Sequence, residues 1–125
     1  MSTAFPPLVV EHFRRPRNFG TLVAPTASHE GANPLCGDRI RIELAVDGDR
    51  VHTARFRGDA CAVTIAAASL LTEWATGRPL AAIAALTDED ALALLGAEIP
   101  AARRRCGTLP LEVLQAAVRA VRAGL

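Results

Sequence analysis

Three cysteines and one aspartate are the residues of this chain whose types can do chemistry together. Cys36, Cys61 and Cys106 lie far apart in the sequence, no Cys-x-x-Cys pair occurs, and Asp38 follows Cys36 by two residues. Three sulfurs and one carboxylate oxygen complete a tetrahedral ligand set for zinc. A cluster of two irons and two sulfides also needs four terminal ligands. We therefore expect these four side chains to hold zinc or an iron–sulfur cluster.

The aspartate changes what such a site would do. A hard carboxylate in place of a fourth thiolate should bind iron less tightly than an all-cysteine site does. That is a disadvantage in an electron carrier and an advantage in a protein that must give its cluster away. The competing interpretation is that each cysteine is only a small buried apolar residue. For one cysteine alone we would prefer that interpretation, but three at junctions between predicted elements favour a site.

The predicted positions of two cysteines favour thiolates. Cys61 falls in the first turn of a long predicted helix, and Cys106 falls just before the last one. The N-terminus of a helix carries partial positive charge, which stabilises a thiolate. Arg103, Arg104 and Arg105 should act on Cys106 in the same direction.

Composition limits the function classes. The chain has 125 residues, half of them hydrophobic, with 14 basic and 13 acidic residues and a net charge of +1. This balance predicts no long-range attraction to nucleic acid or to an anionic membrane. An odd number of cysteines fits a disulfide framework poorly, and no apolar run reaches the roughly 20 residues of a membrane span. We expect a single domain over residues 1–125, soluble and cytoplasmic.

The elements that must position the site follow from hydrophobic periodicity. Residues 8–13 predict a short helix, and residues 21–35 are loop-like or weakly extended. Alternating residues 40–46 and 51–57 predict a hairpin around Asp47-Gly48-Asp49. A three-residue loop, which sets Ile40 opposite Phe56 and Ile42 opposite Ala54, is preferred because it pairs apolar with apolar.

Helices dominate the second half of the chain. Asp59 is the predicted cap of a central helix over residues 60–76. A helix over residues 91–95 follows a capping box of Thr87 and Asp90. The last helix follows Thr108 and carries one apolar stripe of Leu111, Leu114, Val118, Val121 and Leu125. Strands first and helices after predict an α+β fold, with a small antiparallel sheet and helices packed on one face.

These residues resemble the IscU/NifU/SufU family of iron–sulfur cluster assembly proteins. The likeness covers roughly residues 8–122. Its segments are residues 9–13 with 16–18, residues 33–41, residues 54–56 leading to Cys61, residues 69–74 with Gly77, and Cys106 before the last helix.

The resemblance implies a scaffold, rather than an enzyme, that accepts sulfur from a cysteine desulfurase. It would build a labile [2Fe–2S] cluster and pass it to recipient apo iron–sulfur proteins or carriers. Carried over, Cys36, Cys61 and Cys106 match the cluster cysteines and Asp38 the labilising aspartate, with Zn²⁺ in the cluster-free state. Cys106 and Cys36 are the candidate persulfide acceptors, so sulfurtransferase activity through a persulfide stays open.

Three departures from the family pattern matter. Arg105 stands where many IscU-type members have histidine, and arginine cannot be a ligand because it stays protonated. The Leu-Pro-Pro-Val-Lys chaperone motif is not preserved in residues 98–103, which leaves recognition by the chaperone in doubt. The segment around Cys36 is more like SufU, but the SufU-type insertion between Cys61 and Cys106 is absent. Two alternatives therefore stay open: a zinc-dependent sulfur acceptor of SufU type, and a structural zinc-binding domain.

Overall fold

Three antiparallel strands form one sheet in the order β1-β2-β3 in the computed structural model, which describes residues 5–124. The strands are β1 (Ala27–Asn33), β2 (Asp38–Asp47) and β3 (Arg50–Asp59). Inward-facing residues of β2 and β3 are fully buried, among them Ile40, Ile42, Leu44, Ala54 and Phe56. Their alternation with polar residues gives the sheet one apolar face, as the sequence predicts.

Within residues 5–124, five α-helices accompany the sheet. They are α1 (Pro7–Arg14), α2 (Ala62–Ala75), α3 (Leu80–Ala84), α4 (Asp88–Ala93) and α5 (Arg104–Arg122), and one 3₁₀ turn (Ala101–Arg103) precedes α5. Helices α2 and α5 contact each other and the sheet, and α1 packs on α2. The α+β prediction is confirmed.

The central helix α2 is buried on nearly every side. This agrees with the sequence, in which apolar residues occupy nearly all of its faces. It begins at Ala62 and ends before Gly77, which has a φ of +86°. The short α3 was not predicted. The Thr87–Asp90 capping box is present and begins α4 at Asp88, three residues earlier than predicted. The last helix also begins earlier, at Arg104 rather than after Thr108. Leu125, the end of the predicted stripe, lies outside the described residues.

The predicted hairpin register is wrong by two residues. Ile42 pairs with Phe56 and Leu44 with Ala54, whereas Ile40 lies opposite Gly58. Asp47 pairs with Arg50 around a two-residue loop, and an irregularity beside Ala45 absorbs one further residue of β3. Registers that differ by two place the same faces together, so matching apolar residues could not separate them.

The strand β1 lies in a segment predicted as loop or weakly extended. Its residues are small or polar, and its inward positions include Ala27 and Gly31. A Cβ on Gly31 would lie 2.7 Å from Val113 Cγ2 of α5. Small residues are thus required here because α5 packs directly on this strand, and they remove the apolar alternation that marks a strand in sequence.

None of the helices within residues 5–124 combines the length and the hydropathy that a membrane-spanning helix requires.

Candidate metal and cluster site

The turn between β1 and β2 presents Cys36 to solvent. Asn33, at the end of β1, organises this turn: its carbonyl oxygen accepts the Gly37 N–H at 2.9 Å, and its side-chain oxygen accepts the Leu35 N–H at 3.3 Å. Gly37 has a φ of +75°, which suits glycine. The Asn33 side-chain amide also donates to Cys36 Sγ at 3.0 Å. The turn therefore holds the exposed sulfur and supplies it with a hydrogen-bond donor.

Three of the four predicted ligands come together. One ligand atom from each of Cys36, Asp38 and Cys106 lies within 4.8 Å of the other two. The Sγ atoms of Cys36 and Cys106 are 3.9 Å apart. The turn after β1 and the first turn of α5 thus converge on the first residue of β2.

The fourth predicted ligand, Cys61, lies beside this group. It is the N-cap residue of α2, and its Sγ is 3.5 Å from the Thr64 hydroxyl. Burial raises the pKa of its thiol, but hydrogen bonds from the Thr64 hydroxyl, the Thr64 backbone N–H and the Cys106 thiol outweigh that effect, so the pKa lies below its ordinary value. This lowered pKa agrees with the prediction that the N-terminus of α2 favours a thiolate at Cys61.

Asp38 is buried, with 3% exposure, and both oxygens of its carboxylate accept hydrogen bonds. One oxygen accepts the Cys61 backbone N–H at 2.9 Å, and the other accepts the Thr64 hydroxyl at 3.0 Å. Asp38 thereby caps α2 from a neighbouring strand. The prediction that Asp59 caps this helix is wrong, because Asp59 is the last residue of β3 and pairs with Arg39.

Cys106 is in the first turn of α5 and is 1% exposed. Burial, followed by its interactions with Cys61 and Cys36 and the charge of Asp38, raises the pKa of its thiol to about 12. The expectation of a stabilised thiolate at Cys106 is therefore wrong for the metal-free protein. The helix N-terminus does not compensate for burial beside two other sulfurs and a carboxylate.

The arginines that were expected to assist Cys106 have other partners. Arg104 pairs with Glu89 of α4, and Arg105 pairs with Glu112 at 2.7 Å. The Arg103 guanidinium lies over the Phe5 ring, 5.6 Å from its centroid. Each cation is thus paired with another side chain. The three arginines therefore stabilise a Cys106 thiolate less than their adjacency in the sequence suggests.

The donor set suits a soft or borderline metal ion. Three thiol sulfurs and one carboxylate oxygen match the ligands that zinc takes in tetrahedral sites, and thiolates are the ligands of iron–sulfur clusters. Cys36 leaves one side of the group open to solvent. An open side is what a site needs if it exchanges its contents, and a closed structural site would lack it.

Two residues of the site were not singled out from the sequence. Asn33 lies in the segment 33–41 that resembles the family, but its donation to Cys36 depends on the turn that the chain makes. Thr64 had one usable signal, its position three residues after Cys61, where a hydroxyl faces the first turn of the helix. His12 hydrogen-bonds to Ser69 at 2.7 Å between α1 and α2.

Comparison with known proteins gives consistent results. The model of the NifU-like N-terminal domain family matches residues 5–123. The bifunctional protein NifU/MnmA of Rubrobacter xylanophilus is 37% identical over 94% of this chain and 24% of its own length. The zinc-dependent sulfurtransferase SufU of Bacillus subtilis is 35% identical over 64% of this chain and 54% of its own length. The chain thus spans between a quarter and about half of the length of these two relatives.

A third relative is matched over most of its length. The iron–sulfur cluster assembly scaffold protein IscU of Aquifex aeolicus is 33% identical over 95% of this chain and 76% of its own length. Among solved structures, an N-terminal NifU-like protein from Brucella abortus superimposes with a TM-score of 0.81, covering 96% of this chain and 95% of that one. At 16% identity, the likeness to the Brucella abortus structure supports the fold alone. With the family match over residues 5–123, these findings establish that the chain belongs to the NifU-like N-terminal domain family of iron–sulfur cluster assembly scaffolds.

Proposed function

We propose that the chain accepts sulfur from a cysteine desulfurase, assembles a labile [2Fe–2S] cluster and passes it to apo iron–sulfur proteins or carriers. Cys36, Asp38, Cys61 and Cys106 would hold the cluster, and Zn²⁺ would take the same ligands in the cluster-free state. The observation that carries the proposal is the convergence of two cysteines and Asp38 within 4.8 Å, with Cys61 alongside and one sulfur exposed.

The sulfur should enter at Cys36. Its thiolate would attack the outer sulfur of the desulfurase persulfide, so that a persulfide forms on Cys36 and the desulfurase cysteine leaves as a thiolate. Cys36 is exposed, whereas Cys106 is 1% exposed and its raised pKa keeps it protonated in the metal-free protein. The exposure of Cys36, and the burial and protonation of Cys106, therefore favour Cys36 as the acceptor.

The docking face for the desulfurase should surround Cys36. Leu35, its immediate neighbour, is 94% exposed. An apolar side chain beside the reacting sulfur would give the partner an anchor that is fixed by the same turn.

A zinc-dependent sulfur acceptor is the second candidate function. It is favoured by the exposed Cys36, by Arg105 in place of histidine, and by the likeness to the Bacillus subtilis sulfurtransferase. In that case zinc stays bound while Cys36 carries the persulfide. A purely structural zinc domain would need closed ligands, and the exposure of Cys36 weighs against it.

Anaerobic reconstitution with ferrous iron, cysteine and a cysteine desulfurase tests the proposal. A scaffold should develop visible charge-transfer absorption and contain two irons and two sulfides per cluster, and the Cys61→Ser variant should develop much less. The zinc-dependent acceptor should instead keep its zinc, form a persulfide and show no cluster absorption. Failure of both cluster and persulfide formation would exclude both functions.

A further inference from the structure

Thr64 stands out among the buried polar residues because one hydroxyl group lies between two predicted ligands. It is fully buried on the first turn of α2. Its oxygen is 3.0 Å from the Asp38 carboxylate and 3.5 Å from Cys61 Sγ. A buried hydroxyl without an acceptor would be costly, and its one proton is donated to the Asp38 carboxylate.

The contact with Asp38 is the better formed of the two. At 3.0 Å it is an ordinary hydrogen bond to a charged acceptor, which is among the stronger kinds. The Cys61 backbone N–H holds the other carboxylate oxygen at 2.9 Å. These two donors from α2 fix the plane of the carboxylate while the carboxylate remains within 4.8 Å of the Cys36 and Cys106 sulfurs.

We propose that Thr64 is a positioning residue for the metal and cluster site, whose hydroxyl holds Asp38 in place for ligation. This inference rests on the proposed function, since it needs Asp38 to be a ligand. A residue that orients a ligand through a hydrogen bond commonly changes metal affinity by 10- to 100-fold when it is lost. The backbone N–H of Cys61 remains in any Thr64 variant, so the effect should lie at the lower end, at about tenfold.

Two substitutions separate the hydroxyl from the shape of the side chain. Thr64→Val keeps the volume and the branching and removes the donor, whereas Thr64→Ser keeps the donor. Co²⁺ is the probe, because sulfur-to-cobalt charge-transfer absorption reports the bound thiolates. Thr64→Val should bind Co²⁺ about tenfold more weakly with its charge-transfer intensity retained, and Thr64→Ser should stay within about twofold of the native protein.

A double-mutant cycle with Asp38→Ala distinguishes positioning from a general structural role. If Thr64 acts through Asp38, Thr64→Val should cause no further loss of Co²⁺ affinity in the Asp38→Ala background. An equal loss in both backgrounds, or native affinity in Thr64→Val, would overturn the inference while leaving the metal site intact. Absence of charge-transfer absorption in the native protein with Co²⁺ would overturn the metal site and, with it, this role for Thr64.

Discussion

The Sγ atoms of Cys36 and Cys106 lie 3.9 Å apart, although one thiol faces solvent and the other is 1% exposed. The two sulfurs therefore share a site but not an environment. The turn after β1 carries the exposed sulfur, and the first turn of α5, packed against the sheet, carries the buried one. This difference lets one cysteine meet a partner while the other stays in the protein interior.

The first prediction follows from that asymmetry. In the metal-free protein, iodoacetamide should alkylate Cys36 well before Cys106, since Cys106 is both buried and held protonated by its raised pKa. Peptide mass spectrometry after short exposures measures the order. Stoichiometric zinc should slow labelling at Cys36. Equal rates at the two cysteines in the folded protein would contradict the assigned environments.

The second prediction concerns pH. Metal ligation requires the Cys106 thiolate, but the metal-free thiol has a pKa of about 12 and so is protonated throughout the range from pH 6 to 8. Binding must release this proton, so higher pH favours the bound state. The zinc association constant should rise by at least about tenfold per pH unit. Cys61, whose pKa is lowered, should contribute less toward the upper end of the range.

Competition with a chromophoric chelator at several pH values measures this dependence. The Cys106→Ala variant is the control, because it removes the group whose proton must leave. Its slope of log affinity against pH should be about one unit smaller than that of the native protein. Identical slopes would mean that Cys106 is not a ligand.

The third prediction concerns Asn33, which is 3% exposed and donates to Cys36 Sγ at 3.0 Å. Asn33→Ala removes this hydrogen bond and also the side-chain oxygen that accepts the Leu35 N–H, so the turn no longer fixes the Cys36 sulfur. Loss of a hydrogen bond that orients a ligand commonly weakens metal binding, and zinc affinity, measured by competition with a chromophoric chelator, should fall by about tenfold. Leu35→Ala, in the same turn, is the matched control and should leave zinc affinity close to native. Equal weakening by both substitutions would indicate a general disturbance of the turn.

Much of this molecule was predictable where local pattern and tertiary structure agree. The alternation of Ile40, Ile42 and Leu44 predicts β2, and the apolar run after Cys61 predicts the central helix. The four predicted ligands can be picked out from the sequence because three cysteines and a nearby aspartate form a set of metal-binding residue types. Of these, the structure gathers Cys36, Asp38 and Cys106 closely and places Cys61 beside them.

The features that local sequence patterns do not encode depend on contacts between distant segments of the chain. The inward positions of β1 include Ala27 and Gly31, because α5 lies against the strand, and this removes the apolar alternation that would have predicted it. The cap of α2 comes from Asp38, on another strand, rather than from the nearby Asp59. The protonation of Cys106 follows from burial beside other sulfurs and a carboxylate, and no local pattern encodes that environment.

The fourth prediction concerns docking. Leu35→Asp should raise the concentration of protein needed for half-maximal stimulation of a cysteine desulfurase by roughly tenfold, since a charge replaces an exposed apolar anchor. Stability should be unchanged, because the side chain is 94% exposed. Val23→Asp is the control: Val23 is 96% exposed, in another loop. If both variants stimulate the desulfurase normally, Leu35 is not part of the docking face.

The fifth prediction concerns Gly58, which approaches β2 so closely that a Cβ would overlap the carbonyl oxygen of Arg39 and lie 3.0 Å from the Ile40 Cα. Because these neighbours are backbone atoms, they cannot move aside as a side-chain tip could, and β3 must shift. Gly58→Ala should lower the free energy of unfolding by about 1–3 kcal/mol. It should also weaken zinc binding, since Asp38 adjoins the displaced strand segment. Urea denaturation of the metal-free protein measures the first effect, and Arg57→Ala, an exposed neighbour, should change stability by less than about 0.5 kcal/mol.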